Sequence, residues 1–342
     1  MKSHPALAFR LPLFFGAALF GLSAVASGKN LALKYKTYRD WNLVLPKESF
    51  SRVSGDFHFG ESSPSRFSTK LEGTALRIDK NADGEMDAKV EGDQGLVILK
   101  GKTNDGRKFL YSVRLAKGTG GWHYAASGAA TGVIDGQKVR FIDQNNNGRY
   151  DEYGIDAMVV GQGRYASFLS KVINVRGQLY SIDLSKDGRS LSYEPYEGPQ
   201  GTVDLGSTLA TKGKLLSAVI QNSDGLSFNL NSDPTRLPVG QYQLYRGMIG
   251  LGSNVVQFSK GKSQALEVKA DETLKVAYGE PLNIDFTYVR QPGRVILAPQ
   301  LMNYVGQSGE LYDQWKPQDS PRFALLDLDS GKGFANAVFG SG

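Results

Sequence analysis

The chain has 342 residues, 40% of them hydrophobic and 22% charged, a balance that excludes extended disorder and supplies apolar residues for two cores. The formal net charge of +6 falls to +4 once Lys2 and Arg10 leave with the leader predicted below, and no basic run that could follow a phosphate backbone is present, so nucleic acid is not an expected partner. Cysteine is absent, which excludes disulfides and zinc–thiolate sites.

The first 26 residues have the pattern of a signal peptide. Lys2 and Arg10 precede an apolar run over residues 11–22, and Ala24-Val25-Ala26 supplies an A-x-A cleavage signal. The run is too short to span a bilayer comfortably, although an uncleaved membrane anchor is the alternative. We therefore expect a secreted, periplasmic or cell-envelope protein that starts at Ser27, with no integral membrane segment after cleavage.

Residues 27–203 are predicted to form a β-rich first domain, because short alternating runs separated by turn residues replace any helical periodicity. Asn104-Asp105-Gly106, Arg176-Gly177 and Asp187-Gly188 each separate two apolar runs and predict β-hairpins. The segment Tyr196–Gly201 interrupts this pattern and is the predicted linker to a second domain.

Two segments of the first domain share an oxygen-rich motif. The first, Asp79 to Asp87, reads D-x-N-x-D-G-x-x-D, and the second, Asp143 to Asp151, reads D-x-N-x-N-G-x-x-D. Calcium is bound by six to eight oxygens, which such a loop supplies from positions 1, 3 and 5, a backbone carbonyl at 7 and a group at 9, while glycine at position 6 permits a sharp reversal. The predicted ligands are Asp79, Asn81, Asp83, Glu85 and Asp87 in the first loop, and Asp143, Asn145, Asn147, Arg149 and Asp151 in the second.

Both segments resemble the D-x-D-x-D-G calcium loops of many bacterial extracellular proteins, including relatives of the EF-hand. They depart from the EF-hand at position 12, where Val90 and Gly154 replace glutamate, and their flanking residues alternate as strands do. The resemblance thus implies β-flanked, non-EF-hand Ca²⁺ loops. The missing ligand is expected from outside the motif, from Glu91 or Asp93 in the first loop and from Glu152 or Asp156 in the second.

The alternative for each segment is a polar turn without metal, since Asp, Asn and Gly are turn residues in any context. If metal does bind, the three aspartates of the first frame predict tighter binding than the two of the second. The shorter matches Asp183–Gly188 and Asp327–Lys332 favour plain turns.

Aromatic residues raise the question of carbohydrate binding. Trp122 and Tyr124 fall on one face of a predicted strand, where they either pack into the core or stack on sugar rings. Trp315 lies in a polar loop and is the candidate with greater exposure. No catalytic signature is found, because the histidines outside the leader, His58 and His123, lack spaced partners and no nucleophile elbow or phosphate-binding loop occurs.

Residues 204–342 are predicted to form a second all-β domain. The stretch Leu237-Pro238-Val239-Gly240-Gln241-Tyr242-Gln243-Leu244 resembles the edge of bacterial immunoglobulin-like and carboxypeptidase-regulatory-like modules. The resemblance implies an immunoglobulin-like β-sandwich and no activity.

These patterns predict an exported calcium-binding β-protein with a binding or structural role at the cell envelope or outside the cell. A polysaccharide or an envelope component is the candidate partner. The alternative is a secreted, calcium-stabilised hydrolase acting on polysaccharide or protein, since paired catalytic carboxylates leave no local signature.

Overall fold

The computed structural model of the protein describes residues 28–60, 62–297, 302–313, 322–327 and 329–338. Within these residues every regular element is a β-strand, which confirms the all-β prediction. The same residues contain no helix long and apolar enough to cross a membrane. The predicted leader and Trp315 lie outside the described residues.

Seventeen strands build the N-terminal half of the described chain. They are β1 Lys29–Ala32, β2 Lys34–Thr37, β3 Ser51–Arg52, β4 Asp56–His58, β5 Arg66–Glu72, β6 Ala75–Ile78, β7 Ala88–Val90, β8 Gln94–Lys102, β9 Lys108–Gly118, β10 Gly121–Ala126, β11 Gly128–Ile134, β12 Gln137–Ile142, β13 Ala157–Val160, β14 Ser167–Phe168, β15 Val172–Val175, β16 Gln178–Leu184 and β17 Ser190–Pro195. Their antiparallel sheets have the orders β1-β17-β16-β15, β3-β10-β9-β8, β14-β13-β12-β11-β2 and β4-β5-β6-β7.

The three hairpins predicted from turn residues are confirmed. Strands β8 and β9 pair up to Lys102 opposite Lys108 across the Asp105-Gly106 turn, and β16 pairs with β17 across Asp187-Gly188. Strands β15 and β16 are joined by Arg176 and Gly177, whose φ angles of 54° and 88° are those of a two-residue hairpin turn.

A single large core occupies this half and includes the pair whose exposure the sequence left open. Trp122 is 3% exposed and Tyr124 is 8% exposed, and both pack among the buried residues of the four sheets. The alternative in which these two side chains stack on sugar rings is therefore wrong. A smaller cluster around Leu43, Ile142 and Val159 covers the opposite face of the sheet that contains β12.

Fifteen strands follow in the described part of the C-terminal half. They are β18 Gln200–Asp204, β19 Lys214–Gln221, β20 Ser227–Leu230, β21 Thr235–Pro238, β22 Gly240–Leu251, β23 Asn254–Ser259, β24 Leu266–Val268, β25 Thr273–Lys275, β26 Asn283–Asp285, β27 Tyr288–Gln291, β28 Arg294–Leu297, β29 Asn303–Val305, β30 Leu311–Asp313, β31 Arg322–Leu326 and β32 Gly333–Val338. The main sheet has the order β20-β19-β22-β23-β30-β29-β26 with β24 beside β22, and a smaller sheet has the order β21-β18-β25.

The second core lies among these strands and takes in the motif that suggested a sandwich. Leu237 and Pro238 end β21, Gly240 opens β22, and Tyr242 and Leu244 are buried in the core. The Tyr242 hydroxyl donates a hydrogen bond of 3.0 Å to the Pro238 carbonyl, which closes the turn. The strand end, the turn and the buried tyrosine and leucine of the motif are thus present, while the immunoglobulin-like assignment stays a prediction.

The two cores separate near the predicted linker. Strand β17 ends at Pro195 in the first half, whereas β18 begins at Gln200 and places Val203 in the second core. The predicted boundary between residues 203 and 204 therefore falls within β18. Val172 and Leu179 also contact the second core, so the two halves share an apolar seam.

Candidate metal centre

The first oxygen-rich loop connects β6 to β7 and is folded around its first aspartate. The Asp79 carboxylate, 2% exposed, accepts hydrogen bonds from the backbone amides of Asn81 and Asp83 at 3.3 Å each and of Gly84 at 2.9 Å. Ala82 and Gly84 have φ angles of 57° and 95°, which reverse the chain around that carboxylate. The backbone therefore already satisfies the oxygens of position 1.

The Asp83 and Asp87 side chains of the first loop have partners of their own. Asp83 accepts a 2.7 Å hydrogen bond from the side-chain amide of Asn81, and the Lys80 ammonium lies 3.3 Å from the Asp87 carboxylate. Partial desolvation opposes the shift, but hydrogen bonds from the backbone and side chain of Lys80 lower the pKa of Asp87. The Glu85 carbonyl, at position 7, accepts the amide of Asp87 at 3.0 Å. A lysine thus supplies positive charge beside the carboxylate at position 9.

The second loop connects β12 to β13 and repeats this fold in a buried setting. The fully buried Asp143 carboxylate accepts the backbone amides of Asn146 at 2.7 Å and Gly148 at 2.6 Å, and the hydroxyl of Tyr111 at 2.7 Å. Gly148 has a φ of 83°, and a Cβ there would lie 2.8 Å from the Cβ of Phe59, so position 6 requires glycine for both conformation and space.

Asn146, between two predicted ligands, anchors the second loop to two other segments, residues 49–51 and the end of β10. Its side-chain oxygen accepts the Ala126 amide at 2.8 Å, and its side-chain nitrogen donates to the Ser49 carbonyl at 2.9 Å and to Ser51 at 3.2 Å. The φ of 65° explains an asparagine at this position, because asparagine tolerates the left-handed region better than most residues. The loop is therefore a structural hub of the first core.

The side-chain amides of two predicted ligands of the second loop point toward one oxygen of Glu152. The side-chain nitrogens of Asn145 and Asn147 donate to the same Glu152 oxygen, at 3.0 Å and 2.5 Å. Position 7 donates from its backbone, since the Arg149 amide bonds to the Asn147 side-chain oxygen at 2.8 Å. The Arg149 guanidinium also pairs with Asp151 at 3.0 Å, so position 9 is held by an ion pair.

Two oxygens beside this point have no hydrogen-bond partner among the described residues: Oδ1 of Asn145 and Oδ1 of Asp156. Asp156 is only 1% exposed, and its other oxygen accepts the Glu152 amide at 3.2 Å. Burial raises the pKa of both Asp143 and Asp156, and repulsion from Asp143 raises that of Asp156 further. Two buried carboxyl groups thus lie near each other, with few partners to stabilise their ionised forms.

Three tyrosines lie near Asp143, and one of them, Tyr150, belongs to the second loop. Burial raises the pKa of Tyr35 to about 12 and raises those of Tyr111 and Tyr150 well above the ordinary value. Tyr35 accepts the Ser112 backbone amide at 2.7 Å, which fixes its hydroxyl beside the cluster. Of the three, Tyr111 donates a hydrogen bond to the Asp143 carboxylate, which stabilises the charge without neutralising it.

Within the described residues no three carboxylate or histidine side chains are already gathered as a metal shell. The oxygens near the second loop are instead distributed over Asp143, Asp156 and Glu152, with amide oxygens and a backbone carbonyl between them. Orphaned, buried oxygens of this hard type fit calcium, which accepts carboxylate, amide and carbonyl ligands together.

The sequence motif included Asp143 and named Asp156 as one candidate ligand from outside it, and both stay predictions as ligands. The motif gave no sign of four residues that the structure places around Asp143: Tyr35, Tyr111, Asn146 and Tyr150. Alternation along β9 places Tyr111 on the inward face with the buried Phe109 and Val113. That pattern indicates a core tyrosine and contains no signal for a carboxylate partner 32 positions away in the chain.

The shorter matches form turns, as predicted. In the Asp183–Gly188 segment, Asp187 is paired with Arg107 at 3.1 Å and with Arg189 at 3.4 Å. Asp327 accepts the Ser330 amide at 2.8 Å within the turn between β31 and β32.

Comparisons with protein-family models, curated proteins and solved structures gave no match for this chain. The functional conclusion therefore depends on the geometry of the chain itself.

Proposed function

We propose that the protein is an exported calcium-binding β-protein with a binding or structural role at the cell envelope or outside the cell, and that its principal calcium site is the second loop. The observation that carries the proposal is the pair of buried, unpartnered oxygens on Asn145 and Asp156 beside the buried Asp143. A buried oxygen without a partner costs about 1–3 kcal/mol, and more when it is charged, so a bound cation would remove a real penalty.

The ligand set follows from the loop frame with one addition. Asp143, Asn145, Asn147, the Arg149 carbonyl and Asp151 supply positions 1, 3, 5, 7 and 9, and Asp156 is the acid from outside the motif. Both asparagine amides now donate to Glu152. The unpartnered Asn145 oxygen would bind the cation in its present orientation, whereas the Asn147 oxygen would first have to leave the Arg149 amide that donates to it.

The chemistry of the donors favours calcium over other metals. Each proposed ligand is an oxygen, and the chain has no cysteine, so soft transition metals have little preference for the site. Magnesium requires a small, near-octahedral shell and gives up water reluctantly, which suits a loop of mixed carbonyl and carboxylate oxygens poorly.

A structural effect of the metal is supported by the contacts of the loop. Asn146 joins it to Ser49 and Ala126, and Asp143 joins it to Tyr111, so a cation at this loop would hold four segments of the first core together. The chain has no disulfides to perform that task.

Export is the part of the proposal that depends on the leader pattern. Protein purified from its native host is expected to begin at Ser27 when its N-terminus is read by mass spectrometry. An intact Met1 would contradict the export proposal and leave the metal proposal untouched.

The metal proposal is tested by measuring calcium bound to the folded protein in equilibrium dialysis, with the thermal midpoint recorded in EDTA, calcium and magnesium. Because calcium would bind the folded state alone, a hundredfold excess over Kd should add about 2.7 kcal/mol to the free energy of unfolding. Magnesium at equal concentration should add much less. A midpoint equal in EDTA and calcium, with no calcium retained, would reduce both loops to polar turns.

A further inference from the structure

A cleft of about 350 Å³ opens beside the second loop and is not part of the metal site. We call it the Phe109 cleft; its walls are formed by Leu33, Tyr35, Phe109, Ala130 and Tyr150. Leu33, Phe109, Ala130 and Tyr150 are buried members of the first core, so the walls are largely apolar. The volume lies in the lower part of the range of small-molecule pockets.

One buried hydroxyl in the lining has no partner. Ser62 is 8% exposed, lines the Phe109 cleft, and its Oγ forms no hydrogen bond with any described residue. The backbone amide of Ser62 donates 3.0 Å to the Phe59 carbonyl, which fixes the residue in place. The oxygen has almost no accessible surface in this conformation, so rotation about the Cα–Cβ bond would be needed to turn the hydroxyl toward a polar group of a ligand.

The mouth of the cleft is cationic. Asp187 engages Arg107 and Arg189, at 3.1 Å and 3.4 Å, and Arg107 pairs with Asp105 as well. Lys108 also lines the mouth and is exposed, and no carboxylate of the described residues lies within ion-pair distance of it. One positive charge at the mouth therefore remains for a ligand.

We propose that the Phe109 cleft binds a small organic carboxylate with an aromatic or branched aliphatic body. The body would lie against Phe109 and Tyr150, the carboxylate would pair with Lys108, and a second polar atom would bond to Ser62. This inference is independent of the calcium proposal, although Gly148 and Tyr150 of the second loop contribute to the wall.

The experiment uses 4-(trifluoromethyl)benzoate as the probe and the isosteric neutral 4-(trifluoromethyl)benzamide as its control, each followed by fluorine NMR line broadening in the presence of the full mature chain. Both probes are titrated in calcium and in EDTA. Probe binding is thereby measured whether or not the second loop binds calcium, and the thermal midpoints test the calcium proposal separately. We expect the benzoate to bind in the millimolar range or tighter and the benzamide to bind more weakly.

Two variants locate the probe. Lys108→Met removes the charge and keeps the apolar stem, and should weaken benzoate binding at least about fivefold, as expected for loss of a charge-assisted hydrogen bond. Lys117→Met, an exposed lysine on the same strand β9, is the matched control and should bind as the parent does. Ser62→Ala should weaken binding by a smaller factor with Lys108 intact.

Equal benzoate affinity in the parent and in Lys108→Met would overturn the proposal. It would place the probe elsewhere, for example on the exposed apolar hairpins β27-β28 and β31-β32, which border a second cleft near Arg290 and Arg294. No broadening of the benzoate signal in either buffer would overturn it as well.

Discussion

Asp156 is the residue whose environment is hardest to explain without a bound cation. It is 1% exposed, one of its oxygens has no partner, and repulsion from Asp143 adds to the desolvation that raises its pKa. A merely structural turn would more easily place an asparagine or serine here, because either one lacks the charge. The carboxylate is understandable if a cation compensates it.

The substitution Asp156→Asn should have effects of opposite sign in the two metal states. Without metal the thermal midpoint should rise, because the buried charge is removed while the shape is kept. In calcium the midpoint should fall below that of the parent, because one ligand is lost. Asp271→Asn, an exposed turn aspartate of the second half, is the control and should change neither midpoint appreciably. A fall in EDTA equal to the fall in calcium would assign Asp156 a structural role only.

Tyr111 acts on the same cluster from the opposite side. Its hydroxyl donates 2.7 Å to the Asp143 carboxylate, so Tyr111→Phe removes a hydrogen bond to a charged group and should cost about 1.5–3 kcal/mol of unfolding free energy at neutral pH. Tyr278→Phe is the matched control, because the Tyr278 side chain is 1% exposed and its hydroxyl has no partner among the described residues. That second substitution should be neutral or slightly stabilising in denaturant titrations. Equal losses for the two variants would show that the hydroxyl of Tyr111 contributes nothing to Asp143.

The two oxygen-rich loops have nearly the same sequence but different surroundings. In both loops a basic residue pairs with the aspartate at position 9, Lys80 with Asp87 and Arg149 with Asp151. The second loop also has the buried Asp156, which no ion pair compensates among the described residues. A count of carboxylates predicts the first loop as the tighter site, while the surroundings favour the opposite order.

Asp143→Asn should therefore remove more of the calcium-dependent rise in thermal midpoint than Asp79→Asn does. Both residues occupy position 1 and both accept backbone amides, so each substitution also weakens its own turn without metal. The comparison is made on the difference between calcium and EDTA for each variant, which cancels that loss. A larger loss of the calcium increment in Asp79→Asn would restore the order that the carboxylate count predicts.

The elements themselves were largely predictable, whereas their partners were not. Turn residues such as Arg176-Gly177 determine a hairpin locally, since two positive φ angles match the twist of the strands on either side. The contact of Asp143 with Tyr111, and of Asn146 with Ser49, joins residues far apart in the chain, and neither partner has a sequence pattern that identifies the other. The alternation of the strand likewise allowed Trp122 to be buried or exposed, and the structure shows it buried.

For the whole molecule, the two buried acids link stability to pH in a direction that depends on metal. Burial raises the pKa values of Asp143 and Asp156, so the folded state holds their protons more tightly than the unfolded chain, where aspartate titrates near pH 4. Between that pH and the raised values the folded state binds more protons, so their contribution to stability is lost as pH rises.

The thermal midpoint of Asp156→Asn in EDTA should therefore exceed that of the parent by little near pH 4.5 and by progressively more toward pH 9, since the asparagine never ionises. Subtracting one protein from the other cancels acids whose pKa is lowered, such as Asp87 beside Lys80, which shift stability in the opposite direction. In calcium the parent should show the reverse trend, with a calcium increment that shrinks on acidification, because protons compete with the cation for the carboxylates. Midpoints measured by calorimetry across this range test both trends. A difference between the two proteins in EDTA that is constant with pH would mean that Asp156 keeps an ordinary pKa, and the electrostatic argument for a cation at the second loop would then be lost.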